Sequence, residues 1–316
     1  LLYGSGSSGG LVNVVNDRIL TNLPDRPTGA INTSYETVNN GRAGSLEVDG
    51  AYGSVAVHVD TAINNANNYR IPGSSTQSQG EPPGGWTVPP EGNGGNNYTG
   101  KLPNSFSNQN NLGVGVSYIG QNGYTGVSVE RLNNNYGIPT PEGGSINQSQ
   151  NRYDLQHQTR DPFSGFSSFK FSAANTNYNH TEFTNAGEAA SVWKNIANEA
   201  RLELTHNPLA GWKGTVGAQF TASSLNATEV GSGSYAIVPP TKTNSGALFW
   251  IEEGKWNSLQ GNLGVRYNNV GQNPNLGTEL IPQPTIDPIG VTPNITLQNR
   301  AFNLLSYSAG GLWNYM

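Results

Sequence analysis

The sequence predicts an all-β chain, and within that class part of an antiparallel transmembrane β-barrel of about twelve strands. Three observations predict it. Apolar residues recur at every second position over stretches of about ten residues, the length a tilted strand needs to cross a bilayer. The connections between those stretches alternate between tight turns and long polar loops. The composition, with 41 Gly, 19 Pro, abundant Asn and only 12% charged residues, is the opposite of the Ala-, Leu-, Glu- and Lys-rich make-up of helical bundles.

The clearest strand covers 259–268, where Leu259, Leu263, Val265 and Tyr267 share one face and Gln260, Asn262, Arg266 and Asn268 the other. Residues 112–118 and 212–221 repeat the pattern, the first with Leu112, Val114, Val116 and Tyr118 against Gly113, Gly115 and Ser117. Weaker runs fall near 29–37, 43–51, 54–66, 124–136, 150–159, 164–180, 197–206, 244–252 and 302–315. Tight turns are expected at Ala51-Tyr52-Gly53, Gly120-Gln121-Asn122-Gly123, Asp161-Pro162-Phe163, Asn207-Pro208-Leu209 and Glu253-Gly254-Lys255, all with Gly, Pro or Asn-Gly chemistry. Long loops are expected near 68–110, 137–149, 181–195, 226–242 and 270–301. Long loops gathered at one end suit a membrane barrel, with Trp212 and Trp256 beside short turns at one bilayer boundary. The final run, Leu305 to Met316, stops in mid-strand, and Leu1 follows neither an initiator Met nor a signal peptide, so a truncated chain is expected.

The formal charge of -5 is scattered, and the absence of a Lys/Arg cluster argues against nucleic-acid partners. Zero cysteines exclude a disulfide scaffold and thiolate metal centres. A mean hydropathy of -0.50 fits a barrel, because only alternate strand residues face lipid.

Gly4-Ser5-Gly6-Ser7-Ser8-Gly9 satisfies the dinucleotide fingerprint letter by letter, but Leu1-Leu2-Tyr3 is too short for the strand before it and Leu11 to Val15 has strand rather than helix character. No cofactor is expected. The same segment, Leu2-Tyr3-Gly4-Ser5-Gly6-Ser7-Ser8-Gly9-Gly10-Leu11-Val12-Asn13-Val14-Val15, resembles the end of the plug domain of TonB-dependent outer-membrane receptors, with Tyr3, Gly4, Gly6, Gly9, Gly10 and Asn13 carrying the likeness. The resemblance implies a division into a plug end at 1–20, a linker at 21–27 and the first part of a barrel at 28–316. Weaker similarities at Tyr69 to Gly73, Val127 to Pro139, Arg201 to His206 and Gly211 to Gly214 are to the zinc-uptake subgroup, although 139–149 lacks a His-rich loop. The resemblance also implies residence in the bacterial outer membrane among its lipids, and import of a metal ion or metal chelate such as a siderophore, haem or zinc, driven by the TonB complex through the part of the plug preceding Leu1. A β-rich surface adhesin and a passive porin are the alternatives, and an enzyme is not expected.

Candidate binding residues follow from parity. His58 and Asp60 share the face opposite Val55, Val57 and Val59, and His180 shares a face with Tyr178 and Lys170 opposite Phe169 and Phe171. His157 and His206 fall in register with the apolar Tyr153/Leu155 and Leu202/Leu204, near the headgroups. The plain reading of all four histidines is isolated polar residues of a wet lumen or interface, with no confident metal site. Asp154, Glu203, Glu252 and Glu253 show no spacing that distinguishes a catalytic pair from polar lining. The Asn-, Gly- and Pro-rich stretch from Gly73 to Asn111 is expected to be an external loop with aromatic contacts at Trp86, Tyr98 and Phe106.

Overall fold

The computed structural model describes residues 16–74, 99–139, 143–233, 236–275 and 298–313. The candidate plug-end residues Tyr3, Gly4, Gly6, Gly9, Gly10 and Asn13, and the loop residues Trp86 and Tyr98, lie outside them.

Alternation of apolar and polar residues produces strands β1 (Thr28–Glu36), β2 (Gly41–Tyr52), β3 (Val55–Ala66), β4 (Arg70–Ser74), β5 (Thr99–Lys101), β6 (Ser107–Gly120) and β7 (Gly123–Gly137). They continue as β8 (Ser145–Phe163), β9 (Phe166–Phe183), β10 (Ala189–His206), β11 (Trp212–Glu229), β12 (Thr241–Trp256), β13 (Leu259–Pro274) and β14 (Arg300–Trp313). Twelve of these form one antiparallel sheet in the order β1-β2-β3-β6-β7-β8-β9-β10-β11-β12-β13-β14, while β4 and β5 make a small separate ribbon. Every neighbour in the large sheet is also the next of its strands along the chain, a meander that needs no crossover.

The two faces differ as the alternation requires. One carries exposed Val57, Leu112, Val127, Leu202, Val216, Leu248 and Leu263. The other carries Gly, Ser, Asn and most of the charges. Hydrogen-bonded rows show that the apolar band runs obliquely across the sheet. The row that joins Leu46, Thr61 and Leu112 continues through Arg131, Asn151 and Asn177 to Lys242 and Asn273. On β13 the apolar residues Leu263, Val265 and Tyr267 lie nearer the short turns than this row does. A level apolar band that crosses the rows on a diagonal means tilted strands, the shear that closes a barrel.

Two expected turns move. Asp161 has φ 49 and sits in a register shift between Arg160 and Phe163, so Asp161-Pro162 is a bulge and the reversal comes at Ser164-Gly165. Gly254 lies within β12, because its missing Cβ leaves room for the Trp256 indole, and Asn257 at φ 46 begins the turn instead. Strand ends also shift. β10 begins at Ala189 rather than 197 and β11 ends at Glu229 rather than 221, since Asn, Ser and Thr continue the backbone ladder beyond the apolar band. Trp212 and Trp256 pack edge to face at 4.8 Å beside the short turns, where the aromatic placement puts them.

Candidate functional site

The polar face is organised around two groups of residues, one at mid-height on β3, β6 and β7, the other near the long connections on β8 to β10. The first forms because β6 and β7 present almost no side chain there: Gly113, Gly115, Ser117, Gly126 and Ser128 share the polar face. That shallow channel receives Arg18 and Ile19 from the segment before β1. A Cβ on Gly115 would overlap the Arg18 carbonyl group, and one on Gly126 would meet the Ile19 side chain, so the main chain approaches as closely as glycine permits. Ile19 is 5% exposed.

Arg18 then reaches along the channel. Its Nε donates to Asp60 Oδ2 at 2.6 Å, and Nη2 donates to Asp60 Oδ1 at 2.9 Å and to Glu130 Oε1 at 2.7 Å. The hydrogen bond that it donates to Asp60 raises the guanidinium above its ordinary value, burial opposes this, and Glu130 adds to the rise. A raised value means that this contribution to stability is complete below the ordinary arginine range and is lost only above it, so Arg18 stays charged throughout the physiological range. His58 Nδ1 donates to Asp49 Oδ1 at 2.7 Å, and its Nε2 lies 3.4 Å from Asp60 Oδ2. Glu47, Asp49 and His58 offer three donor atoms within 4.8 Å of one another, a set that could hold a divalent ion once the His58–Asp49 bond opened.

A belt of ion pairs continues across the same face. Arg152 reaches Asp154 at 2.9 Å and Glu199 at 3.2 Å, and Arg201 binds Glu203 at 2.6 Å. Gln219 Oε1 accepts from both Arg201 and Arg266, and the Phe249 ring lies 4.4 Å from the Arg201 guanidinium and 5.6 Å from that of Arg266. Phe249 is 2% exposed. Phe249→Ala is expected to lower stability by about 3 kcal/mol, through the cavity and the lost cation–π contacts. Urea unfolding from vesicles measures it, and a change below one third of that would remove Phe249 as the keystone of the belt.

The second group lies near the long connections. Tyr178 and His180 share a hydrogen bond at 2.8 Å between the hydroxyl and Nδ1, and the His180 ring stacks on Trp193 with centroids 5.5 Å apart. Trp193 Nε1 donates to Ser191 Oγ, which donates to Glu182 Oε2 at 2.6 Å. His180 Nε2 faces Glu182 Oε1 at 3.5 Å. Beside it, Tyr69, Phe106, Tyr136 and Gln148 line a recess of about 400 Å³ open to solvent.

Parity therefore places His58, Asp60 and His180 on the polar side, but in two groups, His58 and Asp60 on β3 and His180 on β9; Phe106, expected as a loop contact, lies ahead of β6 and lines the recess. His157 and His206 lie on the apolar face, His157 bonded to Thr125 and His206 to Glu252. Glu252 faces outward with His206, unlike Asp154 and Glu203, and so is not polar-face lining. Sequence reasoning missed Arg18 and Glu130. The run of small residues at alternate positions from Gly113 to Ser117 is the signal that something packs there.

No family model matches this chain. Its fold is similar to that of the copper transporter OprC, at 10% identity and a TM-score of 0.68, with 94% of this chain aligned to 44% of that one. It is similar to the FrpB iron transporter of Neisseria meningitidis, at 9% identity and a TM-score of 0.68 over 92% of this chain and 45% of that one. It is also similar to the hemophore receptor HasR of Serratia marcescens, at 12% identity and a TM-score of 0.62 over 98% of this chain and 45% of that one. The sheet thus has the fold of part of a membrane β-barrel wall, in which its polar face corresponds to the side toward the lumen. More narrowly, it has the fold of part of a TonB-dependent outer-membrane receptor barrel, and it spans less than half the length of these three relatives.

Proposed function

We propose that this chain forms the end of the plug and the first half of the barrel of an outer-membrane transporter that imports a metal ion or metal chelate with energy delivered by TonB. One observation carries the proposal: the barrel wall holds Arg18 and Ile19, the residues just after the plug-like segment, in a channel on its lumenal face. Such a contact fits a lumen that encloses an N-terminal plug. Its structural neighbours include a copper transporter, an iron transporter, a ferric-catecholate import receptor and a hemophore receptor in complex with heme, which supports a metal-containing cargo.

Tyr178, His180 and Trp193, with Phe106 and Tyr136 nearby, form the lumenal surface first met from the side of the long connections. Aromatic faces beside an imidazole and a carboxylate suit a chelate that is flat or carries a metal. The role is passage rather than chemistry on the cargo. An adhesin would have to leave the broad apolar face of twelve strands in water, which a soluble protein avoids.

The test is accumulation of labelled iron, copper, zinc or haem by cells that express the natural gene, with and without TonB and a proton gradient. Uptake that needs both supports the proposal. Equal accumulation without TonB would make the protein a passive pore.

A further inference from the structure

Four carboxylates crowd the polar face of β2, β3 and β7. Glu47 stands directly opposite Asp60 across the β2–β3 ladder, Asp49 stands opposite His58, and Glu130 shares Arg18 with Asp60. Among the described residues Arg18 is the only Lys or Arg bonded to any of them, so four negative charges meet one fixed positive charge. Like charges directly opposite one another weaken a ladder, yet β2 and β3 pair without interruption from Arg42 to Tyr52. Glu47 makes no hydrogen bond or ion pair among the described residues. Its partner on β1 is Ala30, which leaves the carboxylate open from that side.

His58 lies at the floor of this group and is 3% exposed. Both of its ring nitrogens point at carboxylates, Nδ1 at Asp49 Oδ1 at 2.7 Å and Nε2 at Asp60 Oδ2 at 3.4 Å. A neutral imidazole has one N–H and satisfies only one of them, which leaves a buried lone pair facing a carboxylate oxygen. A doubly protonated ring would meet both acceptors but still set four carboxylates against two positive charges, with Glu47 unpartnered. A metal ion on Nδ1 removes the conflict, because the single ring proton then sits on Nε2 and is donated to Asp60. Metal-bound histidines are usually held in this way, the second nitrogen donating to a carboxylate. Asp60 is itself fixed, by Arg18 at 2.6 and 2.9 Å and by Asn111 Nδ2 at 3.3 Å.

We infer that Glu47, Asp49 and His58, whose donor atoms lie within 4.8 Å of one another, bind a divalent cation, with Asp60 as the carboxylate that orients His58. One imidazole nitrogen and two carboxylate oxygens suit Mn2+, Fe2+ or Zn2+ rather than Mg2+ or Ca2+, which take oxygen ligands. The three side chains come from two adjacent strands, so a bound ion clamps β2 to β3 beside the seat of residues 18 and 19. Water from the open side completes its coordination. The inference goes beyond the import reading and rests on neither TonB nor cargo.

The natural gene product is purified in nonionic detergent, stripped with a chelator and titrated with Mn2+. Electron paramagnetic resonance counts the free ion, and spin-echo modulation detects a nitrogen nucleus bound to it. The wild type is expected to take up Mn2+ with modulation from one imidazole. His58→Gln is expected to abolish the modulation, and His157→Gln, on the apolar face, to keep it. Asp60→Asn should weaken uptake about tenfold while the modulation persists, because Asp60 orients the ligand without touching the ion. Glu47→Gln and Asp49→Asn should each weaken it further. Glu47 is exposed and unbonded, so its variant probes the site without disturbing the fold, and a heat-modifiability gel checks the others. No uptake by the wild type, modulation that survives His58→Gln, or equal uptake by Glu47→Gln would overturn the inference.

Discussion

Replacing Arg18 by alanine is expected to release residues 16–20 from the barrel wall while leaving the twelve-stranded sheet paired. Three charge-assisted hydrogen bonds vanish at once, and Asp60 and Glu130 are left facing each other across the channel without a cation. The Arg18 side chain is 11% exposed and the two carboxylates 20% each, so the site is neither dry nor fully solvated. Breaking a buried pair costs more than breaking an exposed one, and a partly screened pair should lie between, at about 2 kcal/mol, or roughly thirtyfold in local opening. Chymotrypsin cleavage after Leu20 reads this directly, and it should speed up in step with the opening. Asp60→Asn should lose less, because Glu130 still holds Nη2. Unchanged protection in Arg18→Ala would mean that the Ile19 contact alone seats the segment. In cells, the proposed import function adds a second readout. A loosened junction should alter the TonB-dependent rate without altering the amount of protein in the membrane.

Much of the architecture is legible in the sequence, and the physical reason is the period. Side chains alternate strictly along a strand, so Leu263, Val265 and Tyr267 against Asn262, Gly264 and Arg266 give both the strand and its two faces without any tertiary information. The same rule puts His58 with Asp60 and His157 with Leu155. Periodicity fails where the environment stops being two-sided. Above the apolar band the two faces of β10 and β11 are no longer distinct, so Asn195, Ser223 and Asn226 carry no alternation although they are fully paired. Turn chemistry misleads for a different reason. Asp-Pro and Gly are turn formers, but Asp161-Pro162 is absorbed as a bulge and Gly254 serves to seat Trp256. The site is less legible than the fold, because Arg18 meets Asp60 and Glu130 across 42 and 112 residues of chain. Nothing local to Arg18 announces the contact. Its trace is on the receiving side, where Gly113, Gly115 and Gly126 give up side chains that a lumen wall could easily have carried.

That trace can be tested by filling it. Gly115→Ala is expected to be the more damaging of the channel substitutions, since its added methyl would fall on the Arg18 carbonyl group, a backbone atom that cannot turn aside as the end of a flexible side chain can. Gly113→Ala would meet the movable Arg18 and Asp60 side chains and should be milder. Overpacking of this kind typically costs about 1–3 kcal/mol when the neighbour can shift. Here the neighbouring segment is free to leave, and leaving forfeits the burial of Ile19 together with the Arg18 bonds. The outcome should therefore be expulsion of residues 18–20 at a cost of about 3 kcal/mol, rather than distortion of β6, whose ladder to β3 and β7 is continuous from Ser107 to Tyr118. Gly246→Ala is the matched control, because a methyl there enters open space on the outward face of β12 and should be silent. Faster chymotrypsin cleavage after Leu20 in Gly115→Ala, with the β6 amides still protected from exchange, would show that the missing side chains exist to seat this segment. Equal protection in both variants would mean that the channel is merely a smooth part of a wet wall.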